Sequence, residues 1–358
     1  GGLHFLIVPR IAELRPWVEQ QATEALGIPL RIGSVEARSN GLIPSLAFTD
    51  VHLLDAQGRV ALRLPSVQVA LSPRSLLGGG LEQLYVDSPV LDVRRTADGR
   101  WWGAGWVVCR GPRADSAAVD WVFSQYELAI RHGTVTWTDE LRSAPPLTLT
   151  HVDWVLRNRH HTHAVRLDAT PSAQGSARIS LAGVFKQPLL SRHAGNWQEW
   201  KGQLYADLAR VDLGPLRHYV DLGLEVAQGS GTLRAWVDIN KGQVINTTVD
   251  MALNGVNVTV DKTLQALQFR WIAGRLWAKT VDGGMEYSTR ALEFDTEDGL
   301  HWPGGNLRLS WFGGDGRTEP HGDLNADRLD LAAMAEIASR LPLGAALQQH
   351  LAGLSPKG

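Results

Sequence analysis

From about residue 30 to about residue 325 the chain alternates apolar and polar side chains with period two, and this pattern limits what it can fold into. Successive side chains of a strand point to opposite faces, so alternation gives each strand one oily and one wet face. Thr134-Val135-Thr136-Trp137-Thr138 shows the pattern, as do Leu233-Arg234-Ala235-Trp236-Val237-Asp238-Ile239, Asn306-Leu307-Arg308-Leu309-Ser310-Trp311 and Val165-Arg166-Leu167-Asp168-Ala169. Turn dipeptides at Gln57-Gly58, Asp98-Gly99, Lys241-Gly242, Asp282-Gly283, Asp298-Gly299 and Asp315-Gly316 punctuate the strands, as antiparallel hairpins and meanders require. Between the termini, only Ser116 to Gln125 and Leu213 to Leu222 read as helices. That is too little helix to cover such a sheet, which excludes α/β architectures. A weak repeat suggests a modular build: Gly202-Gln203-Leu204-Tyr205-Ala206-Asp207 with Arg210-Val211-Asp212-Leu213 recurs as Gly322-Asp323-Leu324-Asn325-Ala326-Asp327 with Arg328-Leu329-Asp330-Leu331.

The chain has 358 residues, 44% hydrophobic and 20% charged, enough apolar material for a folded core. Its 35 basic and 37 acidic residues include no Lys/Arg block, which argues against a nucleic-acid partner. A single cysteine, Cys109, excludes an intrachain disulfide and a thiolate zinc cluster. No stretch reaches the roughly 18 to 20 apolar residues of a spanning helix. The apolar run Leu3-His4-Phe5-Leu6-Ile7-Val8 nevertheless leads into an amphipathic segment with Ile11, Leu14, Val18, Ala22 and Ala25 at helical spacing, stopped by Gly27 and Pro29. Residues 1–27 read either as a terminal helix packed on the domain or as the stub of a membrane anchor. A signal peptide is disfavoured, because a basic leader and a small-residue cleavage site are absent. At the other end Leu331, Met334, Ala338 and Leu341 mark a helical stripe that Pro342 interrupts and Leu343, Leu347 and Leu351 continue. Ser355-Pro356-Lys357-Gly358 then reads as a linker toward a further part, so residues 326–358 form a helical segment and linker.

Candidate chemistry is sparse. His160-His161-Thr162-His163 is the best metal candidate, but it lacks nearby carboxylates and sits among Arg157, Arg159 and Arg166, so it reads as an exposed polar strand end. Gly229-Ser230-Gly231 lacks the spacing of a nucleophile elbow and reads as a turn. Glu293, Asp295, Glu297 and Asp298 surround an Asp-Gly turn, where solvation explains them better than a carboxylate pair or a calcium loop. Trp101 and Trp102, among Gly99, Gly103 and Gly105, suit a sugar platform, a loop packed on the sheet or contact with a membrane surface. No catalytic residue, metal site or cofactor is expected, and the chain reads as a non-enzyme.

The oily face of so many strands needs cover, either from a second sheet, giving sandwiches, or by curling around a cavity that amphiphiles fill. Alternation alone favours the sandwich and leaves the curled groove open. Ile7-Val8-Pro9-Arg10 through Trp17-Val18-Glu19, then Leu26-Gly27-Ile28-Pro29-Leu30-Arg31-Ile32-Gly33-Ser34-Val35, resembles the opening of the AsmA-like proteins of Gram-negative envelopes. The stretches Leu46 to Asp55 and Ala61 to Val69 continue that pattern. Pro146 to Asp153 with Leu156-Arg157-Asn158, Trp200 to Tyr205, and Leu354 to Gly358 resemble the long members of the family, over roughly the amino-terminal third of their length.

The resemblance implies a mainly β fold: a long antiparallel, strongly twisted and curled sheet, a taco-like repeating β-groove, with a few short helices and helical ends. The groove would comprise a first segment, 28–115, and a continuing one, 116–325. It further implies a periplasmic protein held to the inner membrane by an anchor helix, whose groove carries phospholipid acyl chains toward the outer membrane. The groove-lining candidates are Val51, Leu53, Val67, Val69, Val135, Trp137, Leu147, Leu149, Val165, Leu167, Leu204, Leu233, Val237, Val258, Phe269, Leu307 and Leu309. Parity alone leaves each of them equally open to ordinary core packing. The alternatives are an envelope scaffold or outer-membrane protein assembly factor with protein partners, and a carbohydrate-active β-sandwich.

Overall fold

A computed structural model describes residues 11–40, 43–55, 57–73, 80–103, 106–109, 117–173, 176–191, 195–219, 225–259, 266–312 and 321–327. The apolar run Leu3–Val8, the Asp315-Gly316 turn and the carboxy-terminal stripe from Leu331 lie outside these residues. The described strands belong to one long, open, mixed sheet with few helices. Among the described residues, no helix is long and apolar enough to cross a membrane.

The chain divides into two compact units, one of residues 1–203 with 240–243 and one of residues 204–239 with 244–358. The first holds α1 (Ile11–Leu26), β1 (Leu30–Asn40), β2 (Ile43–Leu54), β3 (Val60–Ala70), β4 (Gln83–Asp87), β5 (Val90–Arg95), β6 (Trp101–Gly103), β7 (Trp106–Cys109), α2 (Ala117–Ser124), β8 (Glu127–Asp139), β9 (Leu147–Arg159), β10 (Thr162–Pro171), β11 (Ile179–Lys186) and the start of β12 (Lys201–Asp212). The second holds most of β12, a single helical turn α3 (Leu213–Leu216), β13 (Glu225–Asn240), β14 (Gln243–Thr259), β15 (Leu267–Val281), β16 (Gly284–Thr296), β17 (His301–Trp302), β18 (Leu307–Phe312) and β19 (His321–Ala326). α1 ends where Gly27 takes the left-handed conformation and its N–H bonds the Thr23 carbonyl at 2.9 Å. In α3 the Asp212 side chain accepts from the Gly214 N–H, a local cap.

Two pairings depart from the antiparallel expectation. β4 and β5 both lie parallel to β8, β4 along Leu128 to Arg131 and β5 along Thr134 to Asp139. The chain leaves through β6, β7 and α2 before returning, and a parallel join requires such a crossover. Together β4 and β5 act as one strand interrupted at Ser88-Pro89, where Ser88 has a φ of 52°.

That interruption belongs to a crease running across the first unit. Gly33 of β1 and Asp50 of β2 (φ 55°) lie between the paired Ile32↔Val51 and Ser34↔Thr49, and Pro65 of β3 falls in the same row. Ser88 donates its N–H to the Arg131 carbonyl; next in β8 come His132 (φ 53°) and Gly133, and β9 contributes His151 (φ 48°). The register of β8 with β9 shifts at this place. In each of these strands the apolar set changes parity across the crease: Leu46 and Phe48 against Val51 and Leu53, Leu84 and Val86 against Leu91 and Val93, Leu128 and Ile130 against Val135 and Trp137. Without that shift, half of every strand would turn its oily side chains to the wet face.

The second unit repeats the device. Gly255 (φ 58°) separates Val256 and Val258 from Leu253 and Met251, and Ala291 (φ 50°) separates Leu292 and Phe294 from Tyr287. Gly229-Ser230-Gly231 is not a turn but lies inside β13. Gly231 has a φ of 154°, and a Cβ there would sit 2.1 Å from the Ala252 carbonyl oxygen, so glycine permits the close strand approach. Gly231→Val should destabilise the fold by at least about 2 kcal/mol. Gly255→Ala, with open space around it, should cost only about 1 kcal/mol for its left-handed backbone. Urea titrations of both variants measure the difference.

Candidate functional site

The oily face of the first unit can be followed through the pairing, because directly opposed residues project to the same side of a sheet. Val35, Phe48, Val67, Val86, Ile130, Trp154, Leu167 and Leu181 form one row, each paired with the next across eight strands from β1 to β11. A second row runs Ala37, Leu46, Val69, Leu84, Leu128, Leu156, Val165, Gly183. At about 4.8 Å per strand each row is about 34 Å long. Neither row contains a charged residue.

Of the residues singled out by parity, Val69, Val165 and Leu167 sit in these rows half-buried, and Val67 sits there at 7% exposure. Val51 and Leu53 lie beyond the crease, opposite Leu64 and Leu62, as do Val135 opposite Leu149 and Trp137 opposite Leu147. α1 lies over one edge of the face, where Val18 packs against the cluster of Ile32, Phe48, Val51 and Val67. Its Glu19 carboxylate accepts the Ile32 N–H at 2.7 Å.

The second unit divides its oily face in two. Val211, Leu213, Val226, Leu253, Val256, Leu267, Leu292, Phe294 and Trp302 close into a dry core, with Phe269 edge-on to Phe294 at 5.2 Å and Phe294 stacked on Trp302 at 6.1 Å. Val258 and Phe269, two of the lining candidates, belong to this closed part at 9% exposure each. Leu204, Leu233, Val237, Leu307 and Leu309 remain half-buried. Leu309 pairs with Tyr287, which is 46% exposed and itself pairs with Ala278.

The opposite face is wet and charge-paired. Arg166 bonds Asp168 at 2.7 Å, Arg63 bonds Asp50 at 2.7 Å and Arg275 forks onto Asp250. The guanidinium hydrogen bond is the main cause that holds each of these three carboxyls below the usual carboxylate range. The acidic cluster near residue 295 builds a turn: Asp295 accepts from the Trp271 indole at 2.6 Å and pairs with His301. Asp298 bonds Thr296, and Gly299 takes φ 93°.

Two polar groups mark the strand ends of the first unit's oily face. Arg95 shares that face with Val93 and Trp137. Its guanidinium carbon lies 5.7 Å from the Trp101 ring, which meets Trp137 at 4.8 Å, and its nearest acid is the buried Asp139 at 3.7 Å. At the other end stands His163, and here the expectation of an exposed polar strand end is corrected. His163 is 2% exposed because Trp200 stacks on it at 4.1 Å and Phe123 of α2 closes on both rings edge-on. Its Nδ1 lies 2.7 Å from the Asn158 amide oxygen, and the Asn158 amide nitrogen donates to the Gln125 carbonyl. Its Nε2 lies 3.1 Å from the Gln187 amide oxygen, so each ring nitrogen has an amide partner. Among the described residues no group of three His, Cys, Asp or Glu is placed to hold a metal. Parity reasoning did not reach Arg95, Phe48, Trp154 or Leu181, although the shifted alternation on either side of the crease was a signal for Phe48 and Trp154, and plain alternation through Ile179–Phe185 was one for Leu181.

Burial lowers the pKa of His163 below the ordinary histidine value. As pH falls below about 6.5 the unfolded chain takes up this proton first. Stability is therefore full above that pH and declines below it, until the lower folded-state value is passed. Urea midpoints at neutral and mildly acidic pH should differ more for the wild type than for His163→Gln.

The family model described as "YhdP protein" matches residues 2–358. The chain belongs to that family, which is envelope-associated and broadly concerned with lipid transport. Neither the curated proteins nor the solved structures hold a match to it.

Proposed function

We propose that this YhdP-family chain is the amino-terminal periplasmic part of a non-enzymatic phospholipid conduit between the inner and outer membranes, anchored at the inner membrane in the full-length protein. Acyl chains lie along the oily face, gaining about 25 cal/mol for each Å² of apolar surface removed from water, while head groups stay at the hydrated strand ends. Arg95, beside Trp101 and Trp137, offers a cation to a phosphodiester at one such end.

The observation that carries the reading is the uncharged row from Val35 to Leu181, half-buried along much of its length in a sheet with no second sheet over it among the described residues. A uniform oily row presents no stop to a sliding acyl chain. No reaction is needed, because the lipid leaves as it entered.

A photo-crosslinking amino acid placed at Leu167, on the row, and at Arg166, on the charged face, tests this in cells. Phospholipid should be recovered covalently bound from position 167 and not from 166. Recovery from neither, or equally from both, overturns the reading.

A further inference from the structure

We propose that the edge of the first unit carrying Leu189, Leu190 and Trp197 docks on the surface of an anionic lipid bilayer. β11 ends at Lys186 and β12 begins at Lys201, and the connection between them turns at Pro188-Leu189-Leu190-Ser191, closed by the Ser191 N–H on the Pro188 carbonyl at 3.1 Å. Leu189 is 78% exposed, Leu190 94% and Trp197 49%. Side chains this large are ordinarily the first to be buried, and their exposure along one connection marks a contact surface.

The charges around them name the partner. Lys186, Lys201 and Lys241 are exposed and make no ion pair among the described residues; Lys241 is held beside the connection by its N–H on the Trp200 carbonyl at 2.9 Å. Glu199 is the acid of the segment. Exposed leucines and a tryptophan on a connection flanked by lysines are the composition of an interfacial anchor on anionic lipid.

The part of the connection from Gly195 to Trp200, which carries Trp197, is held in place. The Asp120 carboxylate of α2 accepts the Gly195 N–H at 2.7 Å, and Trp200 is locked against His163 and Phe123. The direction of α1 points the same way. Glu19 meets Ile32 and Arg15 reaches the Gly33 carbonyl, so the helix start faces the Asn40 end of β1. Successive pairings place Ala70, Gln83, Glu127, Arg159, Thr162 and Lys186 at that same edge. The first turn of α1 therefore lies toward the edge that presents Leu189 and Leu190.

The proposal requires no lipid on the oily face, so its test separates the two readings. The full chain is floated with vesicles of phosphatidylcholine alone and of phosphatidylcholine with phosphatidylglycerol. Binding should need the anionic lipid. The double variant L189D/L190D should bind roughly tenfold or more weakly, and each of Lys186→Ala, Lys201→Ala and Lys241→Ala about fivefold more weakly. Circular dichroism checks that the exposed substitutions leave the fold intact. Leu167→Asp, on the oily face, should keep vesicle binding whatever it does to lipid capture. Failure of the wild type to float with anionic vesicles overturns the proposal, as does unchanged binding of L189D/L190D, which would leave the patch to a protein partner.

Discussion

Strict alternation of side chains along a strand is the constraint on which this structure rests. A long strand in a bending sheet must reset its parity or lose its oily face, and this chain resets it in the same row of strand after strand. Apart from Gly255, the left-handed residues of the reset are not glycine: Asp50, Ser88, His132 and His151 in one unit and Ala291 in the other. Each costs about 1 to 2 kcal/mol in isolation, so the surrounding pairing must hold them in place. Charges gather at the first crease. Asp87 meets His132, Asp153 meets Arg178, and Asp50 meets both Arg63 and His52.

The two faces solve opposite problems. On the wet face, arginine–carboxylate pairs span neighbouring strands and remain in contact with solvent, where each is worth little alone. The oily face has no polar means of satisfying itself and depends on contact among aliphatic side chains. The second unit completes that contact on one side of its crease, around Phe294 and Trp302, and leaves it half-made on the other. The second unit thus joins a closed base to a partly open slope on one face.

Much of this was legible in the residues. Alternation through Val165–Ala169 and Leu233–Ile239 shows strands directly, and the Asp-Gly and Lys-Gly pairs show where they reverse. The crease was harder to see. Leu46-Ala47-Phe48-Thr49-Asp50-Val51-His52-Leu53 looks like alternation that falters, when it is two sound frames joined by one left-handed residue. The parallel joining of β4 and β5 to β8 has no local signature, since it depends on where a crossover returns. Burial of His163 depends on Trp200, which arrives a whole strand later. Val258 and Phe269 show the limit of parity, which assigns a side chain to a face without saying whether that part of the face is closed.

An open sheet has no closing register to satisfy, unlike a barrel, whose strand number and shear must agree. Its length is therefore free to vary. Insertion or loss of one hairpin changes the span by about 9 to 10 Å and leaves the pairing elsewhere untouched. Such a sheet can grow or shrink by duplication or loss of a simple unit, with no redesign of what is already built.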